Sequence, residues 1–376
     1  MAGFKGCSTG KRSLMMSQKR YRTGGIGHTG AGNYGHGLHL AYRHLESVEF
    51  IAIADPDHIG RQKAVEETNA LRSYANYSEM LEREDLDIVS VCPRWVTNHV
   101  EVVLACLEAD CHVYCEKPMT ATLADGDLIV DMAAQKDLKV AVSHQGVYFP
   151  STHALRQLLQ DEKIGQVESI RAHGKQDGRG GGEDMITLGT HTFNMMRFLV
   201  GDVDWMSAHV TEVGEEVGLD HVRVPTEPVG PVAGDCIESY FAFKSGVTGF
   251  YDSRKDRFGR GGMEIYGSEG IISPNIGRAD QVAICLDPCW RIGDPSQQWE
   301  MIEICDLPLK SEESLDYGNH LAIVDLIEAI EQNRQPLSSA SDAVAALEMI
   351  VGAYQSQLTK ARVSFPIKNR QHPLSH

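Results

Sequence analysis

Hydrophobic positions in the first part of the chain fall into short, almost unbroken runs separated by stretches of helical period. The runs Tyr21 to Ile26, Val48 to Ala54, Asp87 to Cys92, His112 to Cys115 and Lys139 to Ser143 read as strands. Asp87 to Cys92 is nearly all apolar, as a parallel strand covered on both faces requires, and Pro93 ends it. Between the runs, His36 to Leu45, Arg61 to Ala70, Tyr77 to Glu84, Asn98 to Ala109 and Leu123 to Lys136 read as helices. Val102, Val103, Cys106 and Leu107 share one side of the fourth, and Thr120 or Thr122 caps the fifth. The alternation predicts an α/β unit built on one doubly wound parallel sheet.

The pattern then changes. Alternating strands dominate, at Val167–Gly174, Trp205–Val213, Ile237–Phe243, Val247–Tyr251, Met263–Tyr266 and Ile271–Ser273. Helices are expected near Gly189–Leu199 and at Asn319–Gln332 and Ser341–Lys360. This is the texture of an α+β domain on a large, open, mostly antiparallel sheet. With 376 residues the chain exceeds one ordinary core, and the expected division is a tail at 1–19, a first domain at 20–146 and a second at 147–376. Long loops at Gly174–Asp184 and Gly214–Gly234 have lengths more often functional than idle.

Chemistry enters at the end of the first strand, with Gly27-His-Thr29-Gly30-Ala-Gly32-Asn33-Tyr34-Gly35. Strand, glycine turn, helix, strand and then the acid Asp55 is the order of the Rossmann dinucleotide fingerprint. Glycines let the backbone approach a diphosphate, and a following helix would aim free N–H groups at it. Two registers fit: Gly30-x-Gly32-x-x-Gly35 matches the glycine spacing, whereas Gly27 to Gly32 better matches a turn starting where the strand stops. Asp55 accepts hydrogen bonds from a ribose diol and repels a 2′-phosphate, and Pro56-Asp57-His58 offers no immediate arginine. NAD is therefore favoured over NADP.

A net charge of −17, from 35 basic and 52 acidic residues, argues against nucleic acid or an anionic membrane as partner and suits a neutral substrate. Nine scattered cysteines without a C-x-x-C pair point to reduced thiols in a cytoplasmic protein. Cys111/Cys115 and Cys285/Cys289 lack the companions a zinc site needs, so no metal is expected. No run of eighteen apolar residues predicts a membrane span. The first nineteen residues lack a signal peptide's apolar core and are expected to be a disordered tail, or an overlong start before Met15 or Met16.

Further motifs stand in order: Ile53-Ala-Asp55, Asp87-Ile-Val, Pro93 with His99, Cys115-Glu116-Lys117-Pro118, Gly189-Thr-His191 followed by Gly201, and Arg362-Val-Ser-Phe-Pro366. On these the chain resembles the Gfo/Idh/MocA family of sugar and polyol oxidoreductases, from about residue 20 to 367. The resemblance implies that Lys117 lies beside the nicotinamide and the substrate hydroxyl, with a proline after it that is often cis. A fixed ammonium there stabilises a developing alkoxide, and Glu116 orients the lysine or contacts the nicotinamide ribose. It further implies that His191 is the general base and that Gln145 contacts the nicotinamide amide.

The chain also departs from the family pattern, which carries an Asp where Thr187 stands and often another at Asn194. Asp184 is the candidate replacement if Gly180-Gly-Gly182 folds it inward. Near the strand end, Trp95 stacks on a ring or belongs to the core, and Arg94 holds a substrate oxygen or the diphosphate. Lys175-Gln-Asp177-Gly-Arg179 and Arg254-Lys255-Asp256-Arg257 suit sugar hydroxyls. The expected function is an NAD-dependent oxidoreductase acting on a hydroxyl of a sugar, polyol or glycoside, as a homodimer or homotetramer. Its rivals are a redox-neutral NAD-dependent glycosidase and a non-catalytic nucleotide-binding sensor.

Overall fold

A computed structural model describes residues 20–257, 261–274, 281–287, 294–295, 297–303 and 314–375. The expected tail, Cys7, Cys289 and Cys305 lie outside these residues. Six parallel strands, β1 (Tyr21–Ile26), β2 (Val48–Ala54), β3 (Arg72–Tyr74), β4 (Ile88–Val91), β5 (His112–Cys115) and β6 (Val140–Val142), lie in the order β3-β2-β1-β4-β5-β6. All four residues of β4 are buried, because helices cover both faces of the sheet. In register, Gly25 lies between Ile53 and Ser90, and Ser90 faces Tyr114. The strand order reverses between β1 and β4, which opens a crevice at their carboxyl ends.

One expected element is absent. His36 to Leu45 forms only a short 3-10 turn, Leu38–Leu40, within a string of turns. Gly32, Gly35 and Gly37 adopt φ of 91°, 57° and 79°, and His44 adopts 68°. The chain therefore leaves the right-handed helical region too often for a helix to propagate. Consequently, no helix N-terminus points at the crevice from this crossover. The sheet face it leaves thinly covered is filled from the far end of the sequence. Ala322, Ile323, Leu326 and Ile327 of helix Ser314–Glu331 share one apolar cluster with Leu38, Tyr42, Ile88 and Tyr114.

Among the described residues the second sheet has ten strands. They are β7 (Val167–His173), β8 (Val203–Glu212), β9 (Glu215–Glu216), β10 (Cys236–Phe243), β11 (Thr248–Arg254), β12 (Gly262–Gly267), β13 (Gly270–Pro274), β14 (Gln281–Cys285), β15 (Glu300–Glu303) and β16 (Val363–Ser364). Nine run in the order β15-β14-β13-β12-β7-β11-β10-β8-β16, while β9 pairs beside β8. Every pairing is antiparallel except β7 with β11. Helices Thr190–Val200 and Ala340–Thr359 contribute Phe193, Met196, Leu347 and Ile350 to a core shared with this sheet. The segment before the latter helix reaches back to the first sheet, where Val142 N–H donates to Ser338 O at 2.9 Å. A further helix, Pro150–Gln160, was not expected from the sequence: its leading proline, tolerated at a first helical position, reads as a breaker.

Candidate active site

The glycine turn folds over the end of β1. Asn33 turns the chain at φ 53° and accepts Gly30 N–H at 3.0 Å, while His28 and Asn33 form an isolated bridge. The Tyr34 ring lies against the bare Cα of Gly27, and its hydroxyl is sealed beside Asp55. The Asp55 side chain is fully buried, and its carboxylate accepts Thr29 N–H at 3.1 Å, Thr29 Oγ1 at 2.7 Å and Asp57 N–H at 2.9 Å. Gly32 packs on the backbone of Arg94 and Trp95, and its carbonyl accepts Arg94 N–H at 3.2 Å. Beside the turn, a crevice of about 240 Å³ is lined by Gly27, Asp55, Pro93, Trp95, Asn98 and His99.

Glu116 is the knot of the site. Its buried carboxylate accepts four hydrogen bonds: His36 N–H at 2.9 Å, His36 Nδ1 at 3.0 Å, Lys117 N–H at 2.9 Å and Ser143 Oγ at 2.9 Å. Burial alone would raise its pKa, but the His36 hydrogen bonds and charge, with Lys117 beyond, hold it down at about 2. His36 and Ser143 escaped the sequence reading because chain distance hides such pairings. The Lys117–Pro118 peptide is cis. Lys117 Nζ donates to Thr187 O at 2.8 Å. That carbonyl lies in the π-helical turn Met185–Gly189, where the widened spacing perturbs the ordinary helical acceptor pattern. Burial lowers the Lys117 pKa, opposed by Glu116 and Glu227.

His191 follows in the first turn of Thr190–Val200, with its ring edge-on to His144 at 5.4 Å between centroids. Burial, then the charges of Lys117 and His144, push its pKa well below the ordinary value. His144 is itself anchored, Nε2 to Thr190 Oγ1 at 2.9 Å and Nδ1 to Ser338 Oγ at 2.9 Å, and burial first, then Lys117, lowers its pKa to about 3. Asn194 donates to the same Ser338 hydroxyl at 3.3 Å. Lys117, Thr187, His144 and His191 thus meet where β5 and β6 abut the second domain.

The other expected residues are placed unevenly. Both ring nitrogens of His99 face main-chain carbonyls, Pro93 at 2.6 Å and Pro118 and Met119 at 3.1 Å, so this ring clamps the Lys117 turn to the β4 end. The Gln145 amide N–H donates to Asn319 Oδ1 at 2.8 Å, and Gln145 is not among the residues that line the crevice. Asp184 does fold inward, yet its carboxylate accepts Ser253 Oγ at 2.6 Å and Gln176 N–H at 3.2 Å, and no hydrogen bond joins it to His191. The Thr187 hydroxyl donates to Glu183 O at 2.8 Å, leaving only its carbonyl for Lys117. Asp177 gathers Lys175 at 3.1 Å and Arg179 at 3.3 Å, and these hydrogen bonds outweigh burial to hold its pKa at about 2. Arg254 pairs with Glu238 at 2.9 Å on the sheet, apart from this group.

Glu227, which the sequence did not single out, completes the site. Arg94 Nη1 lies 3.7 Å from Glu227, carried by the long loop after β9, while Arg94 Nε is sealed without a partner among the described residues. The crevice at the carboxyl ends of β1, β2 and β4, with Asp55 in its wall and an orphaned guanidinium N–H beside it, fits a dinucleotide.

Comparison with known proteins agrees with this geometry. The GFO_IDH_MocA profile, described as an oxidoreductase family with an NAD-binding Rossmann fold, matches residues 25–144, and its C-terminal alpha/beta domain matches 156–365. Myo-inositol 2-dehydrogenase of Thermotoga maritima is 28% identical over 251 residues, 62% of this chain and 72% of that protein. Levoglucosan dehydrogenase of Pseudarthrobacter phenanthrenivorans is 25% identical over 251 residues, 59% of this chain and 64% of that protein, so just under two thirds of its length is matched. A solved levoglucosan dehydrogenase in complex with NADH and levoglucosan shares the fold, with TM-score 0.74 and 19% identity over 93% of this chain and 100% of that one.

Proposed function

The chain belongs to the Gfo/Idh/MocA oxidoreductase family, and on that premise we propose a dehydrogenase that moves a hydride between NAD and a hydroxyl-bearing carbon of a sugar, polyol or glycoside. The observation that supports it best is the Lys117 ammonium held on the Thr187 carbonyl, four residues before His191, at the carboxyl edge of the first sheet, with its charge acting on that imidazole. Gly27, Asp55, Pro93, Arg94 and Trp95 would hold the dinucleotide, whose nicotinamide supplies the hydride acceptor or donor.

The chain's own groups handle the proton. Lys117, pinned through its backbone by Glu116 and through Nζ by Thr187 O, presents an ammonium to the reacting oxygen and favours negative charge there. The depressed pKa of His191 keeps its imidazole neutral, so it accepts a proton from a hydroxyl that the ammonium has made more acidic. In the opposite direction the same path runs backward: the protonated imidazole of His191 returns the proton to the alkoxide, which the Lys117 ammonium stabilises as it forms. Net formation of reduced nicotinamide from a polyol panel tests this function. Aglycone release without net reduction would instead identify the redox-neutral glycosidase.

NAD is the preferred nucleotide in this proposal, because the Asp55 carboxylate repels a 2′-phosphate. A ribose diol must share or displace the Thr29 hydroxyl now bound there. Asp55→Asn should weaken NAD by roughly tenfold and narrow the gap to NADP, read by calorimetry with each nucleotide. Wild-type protein that prefers NADP would sink the assignment.

The outer face of the second sheet carries an aromatic and cationic band, with Arg362 over Trp205, Trp205 against Tyr240, Tyr240 against Phe250, and Arg171 over Phe250 and Tyr266. We propose that a second copy covers this band, making the protein a homodimer or homotetramer. Sedimentation as a monomer at micromolar concentration would contradict it.

A further inference from the structure

The segment from Arg223 to Val232 crosses from the second domain onto the first and is fastened at both ends of its span. Val96 N–H donates to Pro228 O at 3.1 Å, Val229 is 2% exposed, and Gly230 at φ 102° lies against Ala121. On the other side Thr226 donates to the buried Glu183 carboxylate through its N–H at 3.1 Å and also through its hydroxyl, and Arg223 approaches Glu183 at 3.4 Å. Between these anchors Glu227 is held 3.7 Å from Arg94 with about a quarter of its side chain exposed. Its charge also acts on Lys117 and on Arg179.

Each of these cations of the cleft has a carboxylate beside it, Asp177 serving two. Arg94 faces Glu227, Lys175 and Arg179 face Asp177, and Lys117 adjoins Glu116. Glu116 and Asp177 spend their oxygens within the protein, whereas the Glu227 carboxylate has no hydrogen bond among the described residues, only its loose pairing with Arg94. An acceptor placed so, beside the Arg94 guanidinium at the mouth of the cleft and partly open, suits a hydroxyl donor and disfavours an anion.

We propose that Glu227 is a specificity-determining residue: its carboxylate accepts hydrogen bonds from hydroxyls of a neutral polyol or sugar beside the reacting carbon, and it excludes carboxylate-bearing analogues such as aldonates and uronates. This rests on the dehydrogenase assignment for the identity of the reacting carbon, but its test does not need turnover.

Binding of a panel of neutral polyols and sugars and of the matching sugar acids is measured by calorimetry on NAD-saturated protein, wild type and variant. Glu227→Gln should weaken the neutral ligands by roughly tenfold to a hundredfold and strengthen the sugar acids at least several-fold. Glu227→Asp, which keeps the charge, should still exclude the acids. Where turnover is seen, the loss in Glu227→Gln should lie mainly in KM, with kcat little altered. Unchanged affinities and unchanged charge preference in Glu227→Gln would overturn the proposal, as would wild-type protein that binds no neutral ligand of the panel or prefers the acids. If neutral polyols bind as described but no nicotinamide is reduced, the dehydrogenase assignment fails while this one stands.

Discussion

Lys117→Met is expected to lower turnover by roughly a hundredfold to a thousandfold or more while nucleotide affinity changes little. Methionine matches the length of the lysine stem but offers no ammonium to the reacting oxygen and no donor to the Thr187 carbonyl. The crevice that would take the adenosine half is lined by Gly27, Asp55, Trp95 and His99, all unaltered by the substitution, so binding of NAD should persist. In the wild type, burial lowers the Lys117 pKa, so the ammonium is lost, and oxidation or reduction alters, at a pH below that of an ordinary lysine. Steady-state assays across pH, beside calorimetry of nucleotide binding, separate these effects. Near-normal turnover in the methionine variant would show that the lysine has no part in the chemistry.

Glu116→Ala carries the largest expected cost in stability, about 3–5 kcal/mol, because it removes one buried charge and orphans the groups that face it. Those groups are the His36 amide and imidazole, the Lys117 amide and the Ser143 hydroxyl, so the glycine turn, β5 and β6 would lose their common anchor. The pH dependence has a definite sign. The folded carboxyl is held at about 2, below its ordinary 4.5. Its contribution is therefore complete above that ordinary value and disappears as pH falls from there toward 2. Urea denaturation should show a large loss for the alanine variant at neutral pH and a smaller difference from wild type in acid. Equal stability of the two proteins at neutral pH is the result that would falsify this account.

Much of the first sheet was legible because each strand is buried on both faces and so leaves a continuous apolar run. The first crossover misled for a physical reason. Leu38, Ala41 and Leu45 satisfy helical spacing, but the glycines between Gly30 and Gly37 take left-handed φ values that periodicity does not register. Gln145 shows a second limit: its place after β6 was legible, but its direction was not, because that depends on Asn319 far along the chain. Asp184 was rightly suspected of folding inward, yet Ser253 and Gln176 claim its oxygens, facts of tertiary pairing alone. Glu227 went unnoticed although its loop was marked by length, since nothing local distinguishes it from Glu215, Glu216 or Asp220.

Helix Ser314–Glu331 has a consequence for biogenesis. It closes the apolar face over Leu38, Tyr42 and Ile88, so the nucleotide-binding half cannot be finished until nearly all of the chain has left the ribosome. A fragment ending at residue 146 would display that face to solvent, and chaperone capture or aggregation is its fate when made alone.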